Sequence, residues 1–314
     1  MSEKIATRDA YGKALVELGK VNERVVVLDA DLSKSTKTAG FAAAFPQRFF
    51  NAGIAEQNLT GVGAGLAAAG KIPFLSTFAV FATGRAFEQI RNSVAYPRLN
   101  VKIAATHAGI TVGEDGGSHQ SIEDIAIMRV LPNMTVIVPA DGAETEAAVV
   151  AIAEYDGPVY LRLGRLAVPC VNKEGYRFEM GKGILMRDGS DIAIFACGMM
   201  VSAALEAADL LAAKGISAAV ANIHTIKPLD TDFVNSLAAH CGFAATVEEH
   251  SIIGGLGSAV AETLSENCPV PLTRIGVNDC FGQSGKPDEL LAYYGLTAEN
   301  IAARVEASLS RCKR

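Results

Sequence analysis

Short apolar runs rich in β-branched residues alternate with Ala-rich segments of helical length through most of the sequence. The apolar runs are Val25–Leu28, Val101–Ala105, Thr135–Val138, Val159–Leu163, Ile192–Ala196, Ala218–Ala221, Ala244–Val247 and Val270–Ile275. Two of the segments between them are Ala143–Tyr155 and Ser202–Lys214. Strands that alternate with helices need crossover connections, so the strands run parallel and helices cover both sheet faces. The pattern predicts an α/β protein with mostly parallel sheets flanked by helices, and it disfavours all-α and all-β folds.

One segment interrupts this alternation. Residues 166–182 include Pro169, Gly175 and Gly181 and show no sustained periodicity, which is typical of a linker. The chain has 314 residues, about twice the length of a common domain. We therefore predict a first domain over residues 1–165, a linker over 166–182 and a second domain over 183–314.

Composition argues against several classes of function. The formal net charge is −6, whereas dedicated nucleic-acid-binding proteins carry a basic excess. No apolar run is long enough to cross a bilayer, and residues Met1–Ile5 are polar, unlike a signal peptide. The six cysteines are scattered, which favours reduced thiols over a zinc or disulfide framework. We expect a cytoplasmic protein without nucleic-acid or membrane partners.

Two segments could carry chemistry. Glu56 would lie in the first turn of a helix that continues through the Gly-rich segment Leu59–Gly70, and by spacing alone it is better explained as an acid favoured by the helix dipole. The loop His107–Gln120 contains His107, Asp115 and His119 among glycines and directly follows a predicted strand. Because ligands of open α/β sheets bind outside the carboxyl ends of strands, this loop predicts a functional site. Metal ligation by its two histidines lacks a third ligand at a recognised spacing.

Three further motifs are ambiguous when taken alone. Phe78 and Phe81 are three residues apart and would share one face of a helix, where core packing is the commoner role. The strand near residue 160 ends in Arg162 and Arg165, which suit an anionic ligand or a solvated strand end equally. The segment Glu248–Ser258 follows a strand and opens a helix, and a structural turn is favoured there over an anion site.

Together and in this order, these segments resemble the C-terminal half of a transketolase, from about Ile5 to the C-terminus. The markers are Ile-Ala-Glu56-Gln-Asn, Ser-Thr-Phe78-x-x-Phe81, His107…Gly-Glu-Asp115-Gly-Gly-Ser-His119-Gln and Glu-Glu-His250…Gly-Gly-Leu-Gly. Transketolases use thiamine diphosphate. The family's Gly-Asp-Gly…Asn-Asn motif for the metal and diphosphate is absent, and Gly113–Gly116 resembles it only superficially. The resemblance implies a split enzyme, in which an N-terminal subunit supplies the diphosphate site and its Mg²⁺ or Ca²⁺.

The resemblance also implies roles for individual residues. Glu56 matches the glutamate that acts at N1′ of the cofactor's pyrimidine, and it is expected to be catalytic. Phe78 and Phe81 match the aromatic pocket around that ring, with Gly84 where a third aromatic is common. Asp31 matches a position near the cofactor and the subunit interface.

The substrate positions follow in the same way. His119 matches a catalytic histidine at the reacting hydroxyls, and Asp115 matches an acid that reads the sugar's 2-hydroxyl. The residues that match a clamp for the sugar phosphate are Arg8, Ser35, His107 and Arg165. Guanidinium, hydroxyl and imidazole groups suit a phosphate chemically. The implied reaction transfers a two-carbon glycolaldehyde unit from a ketose phosphate to an aldose phosphate, as in the pentose phosphate pathway.

Several alternatives stay open. The chain could be a β subunit of a 2-oxo acid dehydrogenase, part of a 1-deoxyxylulose-5-phosphate synthase, or a transketolase for a branched or sulfonated sugar phosphate. A non-catalytic subunit is disfavoured, because a scaffold has no need of Glu56. We expect self-association through the small-residue segment Leu59–Gly70 and a heterotetramer with two copies of each chain.

Overall fold

A mostly parallel sheet forms the first half of the protein. The computed structural model describes residues 4–172 and 176–312. The strands of the first sheet are β2 (Val25–Asp29), β3 (Phe49–Asn51), β4 (Ile72–Phe78), β5 (Lys102–Thr106), β6 (Thr135–Ile137), β7 (Val159–Arg162) and β12 (Thr225–Lys227). Their order is β12-β6-β7-β5-β4-β2-β3, and only β12 runs antiparallel to its neighbour. Strands β2 and β5 are buried at every residue, as expected when helices cover both faces.

A second, five-stranded sheet lies in the C-terminal part. Its strands are β9 (Ile184–Arg187), β10 (Ile192–Ala196), β11 (Ala218–Asn222), β13 (Ala244–Ser251) and β14 (Leu272–Val277). The order is β14-β13-β10-β11-β9, with β9 antiparallel and the rest parallel. A separate two-stranded ribbon pairs β1 (Lys4–Ala6) with β8 (Ala167–Pro169). The predicted α/β class is confirmed, and each of the eight predicted strands is present within a few residues.

Helices pack on both faces of the sheets. They are α1 (Thr7–Val21), α2 (Ser33–Thr36), α3 (Ala39–Ala44), α4 (Glu56–Ala68), α5 (Phe87–Gln89), α6 (Asp124–Arg129), α7 (Gly142–Glu154), α8 (Met200–Ala212), α9 (Thr231–Cys241), α10 (Leu256–Asn267), α11 (Pro287–Tyr293) and α12 (Ala298–Cys312). Wider π-helical turns, Phe81–Arg85 and Ile90–Ala95, flank α5. Asp141 caps α7 by accepting a hydrogen bond from the Glu144 N–H, which satisfies one of the free donors of the helix start. In the described part of the chain no helix is both long and apolar enough to span a membrane.

The two halves share their hydrophobic cores. One buried cluster contains Val136 and Tyr160 of the first sheet together with Phe195 and Leu256 of the C-terminal part. Strand β12 also leaves the C-terminal part to extend the first sheet. The segment expected as a linker contributes β8 to the two-stranded ribbon. The boundaries at 165 and 183 stay predictions, and the residues Met1–Glu3 and Gly175 that they involve lie outside the described residues.

Candidate functional site

The predicted site residues gather along one edge of the first sheet. Strands β7, β5, β4 and β2 are parallel neighbours, so their carboxyl ends meet at the same edge. Phe78 ends β4, His107 directly follows β5, and Arg165 lies just beyond β7. A loop carrying Asp31 follows β2. This edge is where open α/β sheets bind ligands.

Glu56 is the first residue of α4, as the sequence predicted. Its side chain is 4% exposed, so the carboxylate is enclosed rather than solvated. Burial of an acid requires a partner. Arg85 supplies it, with its Nη1 donating to Glu56 Oε1 over 3.0 Å.

The aromatic pair forms a stacked platform, although the predicted shared helix face is wrong. Phe78 is the last residue of β4, and Phe81 starts a π-helical turn. The change from strand to helix brings the rings to 5.8 Å between centroids, with 13° between their planes. A Cβ added at Gly84 would meet no heavy atom within 4 Å. The place of the third aromatic is therefore open in this chain.

Arg85 connects the acid to the platform, and sequence reasoning assigned it no role. Its guanidinium lies 4.1 Å from the centroid of the Phe81 ring while it pairs with Glu56. One side chain thus touches both groups, so the carboxylate and the ring are adjacent. The signal in the sequence was weak, because Glu56 and Arg85 are 29 residues apart.

His107 connects the platform to the predicted clamp. Its ring stacks on Phe78 at 3.8 Å between centroids. Arg8 Nη1 lies 3.0 Å from His107 Nε2 and also donates to the Ser35 carbonyl oxygen over 3.1 Å. The members of this series, which we call the contact line, are Glu56, Arg85, Phe81, Phe78, His107, Arg8 and Ser35.

The charge state of His107 follows from its neighbours. Burial, together with the positive charges of Arg8 and Arg165, lowers the pKa of His107 to about 3. The imidazole is therefore neutral near pH 7. Because a guanidinium only donates, Nε2 accepts from Arg8, and Nδ1 carries the hydrogen and donates to Thr106 Oγ1 over 2.9 Å. His107 adopts a positive φ of 58° where the chain leaves β5.

The two cations that follow β7 have different surroundings. Arg162 is buried and forms a two-point ion pair with Asp124, at 2.7 and 3.1 Å, so it belongs to the core. Arg165 is partly exposed and lies 3.7 Å from Asp115 Oδ2. It also donates to the Val112 carbonyl oxygen. The structure thus pairs two of the predicted substrate residues, Arg165 and Asp115.

The remaining predicted residues border the same edge. The His119 ring stands edge-on to Phe81 at 5.4 Å, and its Nδ1 lies 3.0 Å from Ser118 Oγ. Asp31 is exposed and accepts from Asn51 Nδ2 over 3.0 Å, at the end of β3. It has no contact with the aromatic pair among the contacts found in residues 4–172 and 176–312.

Asp29 shapes the segment on which Asp31 and Ser35 stand. Its buried carboxylate accepts from the Leu32 N–H at 2.6 Å and from the hydroxyls of Thr36 and Thr38 at 2.6 and 2.9 Å. Burial raises its pKa. Asp29 lies two residues before Asp31, and no pattern in the sequence indicates that its side chain would bind the backbone.

The Gly-rich turn before α10 is structural, as favoured. Glu248 fills the start of that helix, since it accepts from the N–H groups of Leu256 and Gly257 at 2.7 and 2.8 Å. A protein carboxylate thus takes the position that an external anion would need. Among the described residues, no group of three or more histidine, cysteine or acidic side chains is arranged to hold a metal.

Comparison with known proteins identifies the two domains of the chain. A family model described as transketolase, pyrimidine binding domain, matches residues 3–171, and one described as transketolase, C-terminal domain, matches residues 181–301. A Methanocaldococcus jannaschii protein whose name describes a transketolase C-terminal section is 56% identical, over 97% of this chain and 96% of its own length. A 6-deoxy-6-sulfo-D-fructose transketolase subunit of a Clostridium species is 48% identical, over 94% and 91%.

A solved structure has the same fold over nearly the whole chain. It is titled as a split gene transketolase, inactive beta4 tetramer, and it matches with a TM-score of 0.90 and 59% identity over 98% of this chain and 99% of its own. The family's pyrimidine-binding domain implies thiamine diphosphate as cofactor. The chain belongs to the transketolase family and corresponds to the pyrimidine-binding and C-terminal domains of its members.

Proposed function

We propose that this chain is the C-terminal subunit of a two-chain transketolase. The enzyme would transfer a two-carbon glycolaldehyde unit from a ketose phosphate to an aldose phosphate, and only together with an N-terminal subunit. The observation that carries the proposal is the contact line, because each of its members contacts the next, from the buried Glu56 carboxylate through the stacked aromatic platform to Arg8.

The residues at one end of the contact line fit the pyrimidine of thiamine diphosphate. Stacked rings 5.8 Å apart suit a planar heterocycle, and Glu56 is an enclosed acid beside them. Glu56 would hold or share a proton at ring nitrogen N1′, while Phe78 and Phe81 exclude water from the ring. When bound, the cofactor supplies the electron sink for cleavage of the bond between C2 and C3 of the ketose.

The other end of the contact line fits a sugar phosphate. Arg8 Nε is buried without a hydrogen-bond partner in the described part of the chain, so the guanidinium keeps a donor for an anion. Arg8, Arg165 and Ser35 would clasp the phosphate, and the neutral His107 would hold the Arg8 guanidinium in place there, because its Nε2 accepts from Arg8. Asp115 and His119 would bind the sugar hydroxyls, with His119 moving a proton at the reacting hydroxyl.

Assembly would complete the site. The N-terminal subunit would hold the diphosphate together with Mg²⁺ or Ca²⁺, and Asp31 would lie near this interface. Self-association through α4 is supported by exposed Ile54 and Val62 and by the open space over Gly61 and Gly65. We propose a cytoplasmic heterotetramer of two copies of each chain. The solved relative titled as an inactive beta4 tetramer supports both self-association and dependence on a second chain.

Two kinds of anionic donor sugar suit the predicted clamp. The pentose phosphate pathway reaction is the primary proposal. One relative is named for 6-deoxy-6-sulfo-D-fructose, a sugar that carries a sulfonate. Both anions suit paired guanidiniums, so the donor panel must include the sulfonated sugar.

The test is reconstitution. This chain, an N-terminal subunit, thiamine diphosphate, Mg²⁺, xylulose 5-phosphate and ribose 5-phosphate should form sedoheptulose 7-phosphate. Glu56→Ala should abolish turnover, whereas Glu17→Ala, at an exposed acid of α1 that pairs with Lys20, should retain it. Wild-type rates in Glu56→Ala would rule out the assigned role. Decarboxylation of pyruvate would favour a 2-oxo acid or deoxyxylulose enzyme, and silence with every donor would favour a non-catalytic subunit.

A further inference from the structure

A carboxylate of the C-terminal part reaches into the loop that carries the predicted substrate residues. Glu249 lies on β13, is 5% exposed, and its Oε1 accepts from the Thr111 N–H over 2.7 Å. Thr111 lies in the loop between His107 and His119, which belongs to the first half of the chain. The hydrogen bond joins residues 138 positions apart.

The loop backbone is shaped to admit this carboxylate. Gly109 has φ +83°, and a Cβ added there would lie 2.2 Å from the Glu249 carboxyl carbon. Only glycine accepts both this conformation and this approach. The Glu249 main chain is fixed in turn, because its carbonyl oxygen accepts from Arg162 Nη2 over 3.0 Å.

The far end of the loop is held by the same half of the protein. Gln120 Nε2 donates to the Gln283 carbonyl oxygen over 2.9 Å. A Cβ at Gly116, where φ is +74°, would lie 2.4 Å from Ser284 Oγ. The loop is therefore clamped at both ends by the C-terminal part, with His107, Asp115 and His119 between or beside the clamped points.

We propose that Glu249 is a positioning residue for the transketolase reaction. Its carboxylate fixes the turn Gly109–Thr111 and thereby holds His107, Asp115 and His119 in register with the aromatic platform. Among the described residues, no hydrogen bond or ion pair joins Glu249 to the platform or to the predicted clamp. This inference rests on the proposed function, and it gives the C-terminal domain a part in substrate binding.

The first test needs no activity. In the full chain, hydrogen exchange at the Thr111 amide should accelerate at least tenfold in Glu249→Ala, since the buried acceptor is lost. Glu249→Gln keeps an acceptor oxygen and should stay within about threefold of wild type. Glu248→Ala is the matched control, because Glu248 is buried on the same strand but binds the start of α10. An unchanged Thr111 rate in Glu249→Ala would overturn the proposal.

The second test uses the assembled enzyme. Glu249→Ala should raise KM for the ketose phosphate at least tenfold and Glu249→Gln should restore it, whereas Glu248→Ala should change only the amount of folded enzyme. KM does not depend on the folded fraction, so a merely structural role would leave it unmoved. A faster-exchanging loop with an unchanged KM would also overturn the proposal.

A variant that does not fold and a wild-type enzyme without activity have different consequences for the role of Glu249. If Glu249→Ala fails to fold, Gly109→Ala takes its place, since the added Cβ must displace the intact carboxylate, and the same rise in exchange and KM is expected. If wild-type enzyme has no transketolase activity, the proposed function fails, and the exchange measurement still decides whether Glu249 holds the loop.

Discussion

The charge of Glu144 should set how the stability of this protein depends on pH. Glu144 lies in the first turn of α7 and is fully buried. It accepts from the Ala140 N–H at 2.6 Å, from the Tyr176 hydroxyl at 2.7 Å, and from Asn222 Nδ2 at 2.9 Å. Glu144 thus connects α7 with Tyr176 of the segment 166–182 and with Asn222 of the second sheet. Burial raises the pKa of this carboxyl from 4.5 to about 7, and its hydrogen bonds only partly offset that effect.

The sign and size follow from proton linkage. Between pH 4.5 and 7 the folded chain binds more protons at Glu144 than the unfolded chain does, so stability falls as the pH rises through this window. With these two pKa values, titration of Glu144 lowers the free energy of unfolding of the wild-type protein by about 2–3 kcal/mol between pH 5 and pH 8. Glu144→Gln removes the titration. The free energy of unfolding of Glu144→Gln minus that of wild type should therefore rise by about 2–3 kcal/mol over the same range.

Urea unfolding followed by circular dichroism at pH 5, 6, 7 and 8 measures this difference. Acid titration of His107 and His224, whose pKa values burial lowers to about 3 and about 4, occurs in both proteins and cancels. The control is Glu146→Gln. Glu146 lies on the same helix as Glu144, is partly exposed and pairs with Lys13 of α1. Its replacement should shift stability by less than about 1 kcal/mol at every pH. Parallel curves for wild type and Glu144→Gln would refute the reasoning.

Three further results are expected. Arg165→Ala should raise KM far more for phosphorylated than for unphosphorylated sugars, measured by steady-state kinetics of the assembled enzyme; equal effects would remove Arg165 from the clamp. Arg85→Ala should lower the free energy of unfolding by about 1–3 kcal/mol, because it leaves the enclosed Glu56 carboxylate without its donor; an unchanged free energy of unfolding in urea titrations would show that Glu56 does not depend on Arg85. The isolated chain should bind thiamine diphosphate weakly by calorimetry, and tight Mg²⁺-dependent binding would contradict a site shared between two chains.

The parts of the fold that the sequence predicted are those with strong local signals. Strands such as β2, β5 and β10 are buried on both faces and therefore read as continuous apolar runs. Strand β4 was not predicted although it is buried at every residue, because Pro73, Ser76 and Thr77 interrupt its apolar run. Strands β3, β8 and β12 have three residues each and lie at an edge or in the two-stranded ribbon, so no run marks them. The spacing of Phe78 and Phe81 predicted a shared helix face, but a strand end beside a helix start produces the same stacking.

The sequence predicted which residues form the candidate site, but not which side chains contact them. The motif resemblance located Glu56, His107 and Arg165, whereas the partners that define their state are distant in sequence. Arg85 reaches Glu56 from 29 residues away, and Glu249 reaches Thr111 from 138. Such pairs depend on how strands and domains are arranged, which a local pattern does not contain.

The position of Arg8 separates the proposed reaction from that of a 2-oxo acid dehydrogenase. On the proposed function, the pyrimidine of the cofactor occupies the Glu56 end of the contact line, and the substrate lies toward His107 and Arg8. A ketose phosphate has its anion several carbons from its carbonyl, so its phosphate can reach Arg8 while its carbonyl lies at the cofactor. A 2-oxo acid carries its carboxylate next to the carbonyl and would leave Arg8 Nε, which is buried without a partner in the described residues, still unpaired. Arg8→Ala should therefore impair turnover of ketose phosphates and leave any residual turnover of 2-oxo acids unchanged, and an equal loss for both would place the anion site next to the carbonyl.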